Sequence, residues 1–549
     1  MDTTSIVFRL TTIVRSLKVL DIAVAVAGVL AFHVAVGETR RRFKTTQLRG
    51  PPVSSFIFGA GKDVLDSPDS GEVYEAWAQE YGVAYEVPLA LGKKKIILCD
   101  PKAIAHFFAG DTSTYGHTAL DKVTLERSVG KGILWAMGEN HRRQRRSMSP
   151  AFTYASIGKL TPVFYNCVYK VKAGWDEIID ANDEDSAIIE VAQWMNHLSL
   201  DSVGLAGFSH DFGALDGKKA PVTQVFEAFQ DSSKRNDMSS GVFLLLQVFP
   251  ALVYIPSPRM RLVRELHYAM VDVCNAMLDK TKKEKEAGAL AGREKSIIEV
   301  LVQAEGTDSA FYATREEALG SGNLMKALLI AAYESSAINL VWALVELARN
   351  PDVQTTLREE LLACRADPTY EQLNKGLPYL DAVAHETLRL HPSIPDFERI
   401  AEKDDVIPLS EPVHTKAGEV LDSIRVAAGT LVAISTPSVN RSAAIWGIDA
   451  KEFRPERWID KDGITKKAQE IQGHRHLLSF GDGPRMCIGK GIALTMFKVV
   501  LSVLMKNYVL EMRDGPNTKI EMGRALSVRP KVAGEQGARL PLRVRRYEG

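Results

Sequence analysis

The stretch of this 549-residue chain best suited to chemistry is FGDGPRMCIG, Phe480 to Gly489, which presents one of only five cysteines, Cys487, from a loop rich in glycine and proline. Apolar residues at Ile488, Ile492, Leu494, Phe497, Val500, Leu501, Leu504 and Met505 recur with a helical period, so a helix is expected to begin at or just after the cysteine. A thiol there meets unpaired N–H groups and the positive end of the helix dipole, and both favour the thiolate. Gly481 and Gly483 admit backbone angles closed to other residues, and Gly489 leaves room for a flat ligand. The chemistry implied is a sulfur anion held against something planar. A zinc site shared with His474 and His476 is the rival, but HRH followed by cysteine eleven residues later matches no usual zinc spacing.

Two other groups carry charge at fixed spacing. Glu386 and Arg389 in HETLRLHP stand three apart on a helix that Pro392 ends, hence on one face. Taken alone, such a pair is a solvated surface salt bridge worth little. His141 and Arg145 in GENHRRQRRSMSPAF are four apart and can point to the same side. Between and beyond them, Arg142, Arg143 and Arg146 form either a basic patch for an acidic protein partner or an ordinary solvated helix face.

The elements that must position these residues read as mainly helical. Strand character is confined to Val83–Cys99, to Val406–Ser435 and to the carboxyl terminus. LVWALVELARNPDV marks two helices meeting at Asn350, the expected N-cap, with Pro351 in the first helical position. Lys+Arg and Asp+Glu balance at 68 each, which argues against nucleic acid as a partner. Cys99, Cys167, Cys274 and Cys364 are scattered without metal spacing and read as small buried hydrophobes in a reduced compartment.

At the amino terminus, after a tail over residues 1–18, residues 19–37 form an apolar run interrupted only by Asp21 and His33, the length of a bilayer's hydrocarbon, and are expected to be a retained membrane anchor. A basic, proline-bearing linker over 38–52 then leads into one body, 53–549, facing the cytosol. The apolar segment Met238–Pro258, broken by three prolines, reads as a core helix and loop, or as a second membrane contact or a lid over an apolar channel.

Phe480, Gly483, Arg485, Cys487 and Gly489 match FxxGxRxCxG, and the chain here resembles the cytochrome P450 family, whose cysteine thiolate is the axial ligand of haem iron. Other marks follow in order: the Glu386/Arg389 pair, then EFRPERW, similar to the family's PERF segment. The resemblance implies that Glu386, Arg389 and Arg457 interlock as a buried charge network, and that His141, Arg145, Arg399 and Arg485 neutralise the haem propionates, with His141 where relatives most often carry Trp. It also implies that Glu334 and Ser335, in AAYESS, pass protons on the oxygen side. Ala332 stands there in place of the family's glycine, and Met496 where many relatives carry Glu.

The fold implied is the P450 fold, mainly α with small β-sheet regions, behind one transmembrane helix. The cofactor implied is haem b, and the activity is a monooxygenase using O2 and electrons from NADPH–cytochrome P450 reductase, with cytochrome b5 as a further candidate donor. The location implied is the endoplasmic reticulum membrane, single-pass. DDVIPLSEPV and WGIDAKEFRPERW are similar to fungal members acting on terpenoids and other secondary metabolites, lipids or xenobiotics. Residues Tyr115–Ile133, Phe243–Tyr254, Ala331, Ala332 and Val528–Val532 are the substrate-facing candidates. The alternatives are a haem-thiolate isomerase, dehydratase or peroxygenase needing no reductase, and a haem-binding sensor.

Overall fold

A computed structural model describes residues 36–182, 185–218, 221–231, 244–255, 257–286, 323–524, 528–535 and 537–548. The helices that position the site are α1 (Ser70–Tyr81), α2 (Pro101–Ala109), α3 (Gly138–Met148), α4 (Thr161–Asp180) and α5 (Val191–Phe208), followed by α6 (Pro258–Glu286), α7 (Asn323–Arg349), α8 (Pro351–Leu362), α9 (Pro378–Leu390) and α10 (Lys490–Asn507). The strands are β1 (Ala84–Pro88), β2 (Lys94–Leu98), β3 (Tyr115–Gly116), β4 (Ser186–Glu190), β5 (Asp396–Ala401) and β6 (Asp405–His414), then β7 (Val420–Val426), β8 (Leu431–Ser435), β9 (Tyr508–Met512), β10 (Ile520–Arg524), β11 (Val528–Val532) and β12 (Pro541–Arg546).

Helix α7 is apolar on nearly all sides, and such a helix belongs in a core. It contributes Leu344 and its neighbours to the largest core, where Trp175 of α4, Met195 of α5 and Leu501 of α10 meet it. Its length and hydropathy would also suit a membrane, yet two thirds of it (67%) is buried inside the protein. A second core lies over a five-stranded sheet in the order β1-β2-β8-β5-β3, mixed because β2 and β8 run parallel. The hairpins β6/β7 and β10/β11 and a three-stranded sheet β4-β12-β9 complete the strands. The three stretches expected do carry strands, but strand is not confined to them: β3, β4 and β5 lie outside, added to the sheets by pairing with distant segments.

Asn350 sits at the α7–α8 junction but does not cap α8 with its side chain. Its Nδ2 donates backwards to the Glu346 carbonyl at 2.8 Å, closing α7 instead, while Pro351 opens α8 as expected. Tyr115, placed among substrate-facing candidates by sequence, is fully buried in the sheet core, with its hydroxyl donating to Asp405 at 2.7 Å. The anchor run lies outside the described residues except for its last two, where a helix over 36–44 begins. Of Met238–Pro258, residues 244–255 and 257–258 are described: a short helix followed by a 3-10 turn at Pro250–Tyr254, with Phe249, Tyr254 and Ile255 exposed rather than in a core.

Candidate active site

Cys487 stands on a loop tied to itself by backbone. Its N–H donates to the Phe480 carbonyl at 2.8 Å, and Met486 N–H donates to Gly483 at 3.1 Å. Gly481 (φ 66°) and Gly483 (φ 65°) take the left-handed conformation this turn requires. A Cβ on Gly483 would also strike the Phe108 carbonyl at 2.3 Å, so the end of α2 presses directly on the loop. Helix α10 begins at Lys490, capped by Gly489, just beyond the cysteine.

The sulfur lies deep in the protein yet is solvent-accessible, the signature of a side chain at the bottom of a cleft. Beside it a Cβ on Gly489 would meet, within 4 Å, only the sulfur itself, at 4.0 Å, so one flank is open. The thiol's pKa is raised: burial acts most strongly, against the backbone N–H groups of Gly489 and Lys490 and the charges of Arg145 and Lys490, which lower it. The helix-terminus argument thus has the right sign and the smaller size. A metal would displace the proton, since the thiolate is the metal ligand. The other cysteines differ: burial pushes Cys99 and Cys274 to about 12 and Cys167 to about 11, as for inert thiols, and Cys364 is half-buried.

Arg145, Arg399, Arg485 and His141 come from α3, β5 and the cysteine loop. Burial, then Arg485 and Arg145, lower His141 to about 4, so it is neutral. Burial lowers Arg485 to about 10, opposed by Asp111, and it stays charged near neutrality. Its guanidinium also donates to the Ala136 carbonyl. Two further residues join the cluster: Asp111, which sequence reasoning missed, and His117, which it placed only within the substrate-facing stretch Tyr115–Ile133. Asp111, fully buried, receives Arg399 Nε at 3.1 Å and Nη2 at 3.2 Å, and lies 3.4 Å from Arg485 Nε. His117 is buried with Nε2 lacking a hydrogen-bond partner, and burial with Arg399 and Arg485 pushes it to about 3. Nothing local in the sequence marks either one.

On α9, Arg389 grips Glu386 bidentately, Nε to Oε2 and Nη2 to Oε1, both at 2.8 Å. Arg457 Nε reaches Glu386 Oε1 at 3.4 Å, Trp458 Nε1 reaches Oε2 at 3.0 Å, and Arg454 N–H adds 3.0 Å to Oε1. Glu386, Arg389 and Arg457 are each essentially inaccessible to solvent.

Helix α7 runs past the cysteine loop: Ser336 and Asn339 share a small cavity with Leu388, Phe480, Ala493 and Leu494. Around the same turn Ala331 is exposed and Ser335 half-exposed, whereas Glu334 is buried. Ser335 Oγ donates to the Ala331 carbonyl at 2.6 Å. Glu334 Oε1 accepts from Arg529 Nη2 of β11 at 2.8 Å, and Arg529 Nη1 donates to Asn196 of α5 at 3.2 Å. Glu334 and Ser335 are therefore adjacent in sequence but differently placed, one inside the protein and one at an accessible surface. Met496 is buried in the main core.

A family model described as Cytochrome P450 matches residues 49–534. The chain belongs to the cytochrome P450 family. Cytochrome P450 monooxygenase claQ of Ampulloclitocybe clavipes is 47% identical over 540 residues, covering 97% of this chain and 99% of the relative. Cytochrome P450 monooxygenase claO of the same fungus is 48% identical over 521 residues (93% and 95%), and cytochrome P450 monooxygenase 205 of Postia placenta is 32% identical over 550 (97% and 98%). The protein is a haem-thiolate monooxygenase of this P450 family, whose cofactor is haem b with an axial cysteine thiolate. The residues present fit that group: an accessible sulfur deep in a cleft, an open flank at Gly489, and three guanidiniums with two neutral imidazoles to meet two carboxylates.

Proposed function

We propose that Cys487 is the axial haem ligand of a single-pass, endoplasmic-reticulum-bound P450 that hydroxylates an apolar, medium-sized molecule with electrons from NADPH through a flavoprotein reductase. The observation that carries this reading is the accessible thiol at the bottom of a cleft, beside the Arg145–Arg399–Arg485 cluster. Bound haem supplies O2 activation and oxygen insertion; the protein supplies ligand, orientation and protons. Arg145, Arg399, Arg485 and His141 hold the propionates, and His117 adds a donor or acceptor of its own. Ser335, with its O–H given to the Ala331 carbonyl, has lone pairs left to accept, so it relays a proton once that bond rotates. Glu334, held by Arg529 at 2.8 Å, joins the relay only when that pair opens and its carboxyl takes up a proton to pass on.

Membrane attachment draws support from exposed apolar side chains on neighbouring segments. Phe56 and Ile57 lie just before Gly61, against which Leu244 packs, and Phe249, Tyr254 and Ile255 follow from that contact. Arg142 and Arg146, exposed on α3, offer the acidic reductase a basic face.

The decisive measurement is the carbon monoxide difference spectrum of the reduced protein. Wild type is expected to give a strongly red-shifted Soret band and Cys487→Ala to lack it; a normal band in Cys487→Ala overturns the ligand assignment. Product formed from a hydroperoxide without NADPH or reductase, and none with them, would replace monooxygenation by the reductase-free reading.

A further inference from the structure

Two of the three arginines expected to face the haem propionates, Arg399 and Arg485, already share a protein carboxylate. Asp111 follows the end of α2, in a loop pinned from several directions. Its N–H donates to Phe108 at 3.1 Å, Thr112 N–H donates to the Tyr115 carbonyl at 3.0 Å, and Gly138 N–H to the Thr112 carbonyl at 3.1 Å. Thr112 takes a left-handed φ of 79°, a strained conformation that persists only where surroundings over-determine it. Phe108, whose carbonyl abuts Gly483, ties the same loop to the one that carries Cys487. The Asp111 carboxylate is thus fixed against the site by backbone, and it takes the Nε/Nη2 edge of Arg399 as well as lying 3.4 Å from Arg485.

We propose that Asp111 is a built-in third carboxylate of the haem pocket, which together with the two propionates balances Arg145, Arg399 and Arg485 and so sets the charge, and the reduction potential, felt by the iron. Three guanidiniums against two propionates would leave one positive charge in a region shielded from water. Asp111 removes that excess, and His117 and His141 add none because both are neutral. In such surroundings a unit charge acts over several ångströms with little screening. Net local charge is one of the levers by which a protein tunes a metal centre's potential. The proposal rests on the propionate role of the arginines.

The test is a spectroelectrochemical titration of the ferric/ferrous couple in purified holoprotein, for wild type, Asp111→Asn, Arg399→Gln and the double variant. Asp111→Asn is expected to shift the potential positive, since the unbalanced cation favours the reduced iron. Arg399→Gln is expected to shift it negative and to loosen haem. The double variant removes one charge of each sign and should return close to wild type with haem retained, even where Asp111→Asn alone fails to hold haem. An unchanged potential in Asp111→Asn, while Arg399→Gln still moves it, overturns the role of Asp111 and leaves the arginine assignment standing. An unchanged potential in both overturns the arginine assignment and the proposal together. A double variant that loses haem, or that matches Arg399→Gln, also overturns the proposal.

Discussion

Two buried carboxylate–arginine pairs, each at 2.8 Å, are held in different ways. Glu386 receives Arg389 through two bonds, together with Arg457, Trp458 and the Arg454 backbone, so that α9 and the segment after β8 close on one carboxylate. Glu334 receives Arg529 from the β10/β11 hairpin, with Asn196 of α5 as the arginine's other partner. The chemistry is the same, but the first pair is locked from several directions, whereas the second spans from the central helix to a hairpin. A carboxylate locked by many donors is built for rigidity, and one joined to a separate hairpin is better suited to a change of state. The first arrangement suits a scaffold, and the second is the one the proposed proton role of Glu334 draws on.

Breaking the first pair should have the largest effect. Glu386→Gln leaves Arg389 buried without its counter-charge and Arg457 with Asp449 alone, a loss of about 3–5 kcal/mol. The expected result is little or no soluble haem-loaded protein, read from the ratio of Soret to protein absorbance. A well-folded, haem-replete Glu386→Gln would show that the network adds nothing essential.

Arg529→Gln should cost less, about 3 kcal/mol, because it strands a single buried carboxylate, whereas Glu386→Gln strands Arg389 and weakens every bond converging on that carboxylate. Thermal unfolding of the holoprotein would show a lower Tm, and the Arg529→Gln/Glu334→Gln double variant should recover much of it, since removing both partners strands no charge. A double variant as unstable as the sum of its singles would mean that the two side chains are not coupled, and the comparison would collapse.

The contrast also explains what could be read from sequence. The Cys487 loop compresses its chemistry into ten residues and Glu386 and Arg389 are three apart, so local spacing marked those, while the resemblance to the P450 family supplied Arg457 and the buried network. The helical majority and most of the strands were legible through periods of 3.6 and of two residues, but the short β3, β4 and β5 were not. Asp111 meets Arg399 across 288 residues, and Arg529 meets Glu334 across 195. No periodicity connects such positions; only the packing of α2 on the cysteine loop and of β11 on α7 brings them together. The thiol of Cys487 was misjudged for a related reason. The helix terminus is a local feature visible in sequence, whereas burial, the larger influence, is a property of the whole fold. Asn350 shows the same limit at one residue: its type marks a helix boundary, but which of two helices its side chain serves depends on their geometry.

On the oxygen side, Ser335→Ala should leave stability and haem content near wild type, since the hydroxyl is half-exposed and its bond to Ala331 is to a carbonyl already within a helix. What should fall is the fraction of NADPH consumption that ends in product, by several-fold, as expected when a positioned proton donor contributing ~10²-fold or more is removed and water substitutes in part. The measurement is the ratio of product to NADPH oxidised with saturating reductase. An unchanged ratio would remove Ser335 from the proton path and leave Glu334 with no route inward.

The smallest effect sharpens the same point. Ser199 Oγ donates to the Tyr333 carbonyl at 2.8 Å, two residues from the carbonyl that Ser335 engages, but from α5 and in full burial. These are two hydroxyl–carbonyl bonds on one turn of α7, alike in geometry and unlike in access. Ser199→Ala should lower stability by ~1 kcal/mol, the net worth of a typical hydrogen bond, and should leave the product-to-NADPH ratio unchanged. If Ser199→Ala instead uncouples the enzyme as Ser335→Ala does, then the shape of the turn, not the accessible hydroxyl, governs proton delivery. The functional role of Ser335 would pass to the backbone that both hydroxyls brace.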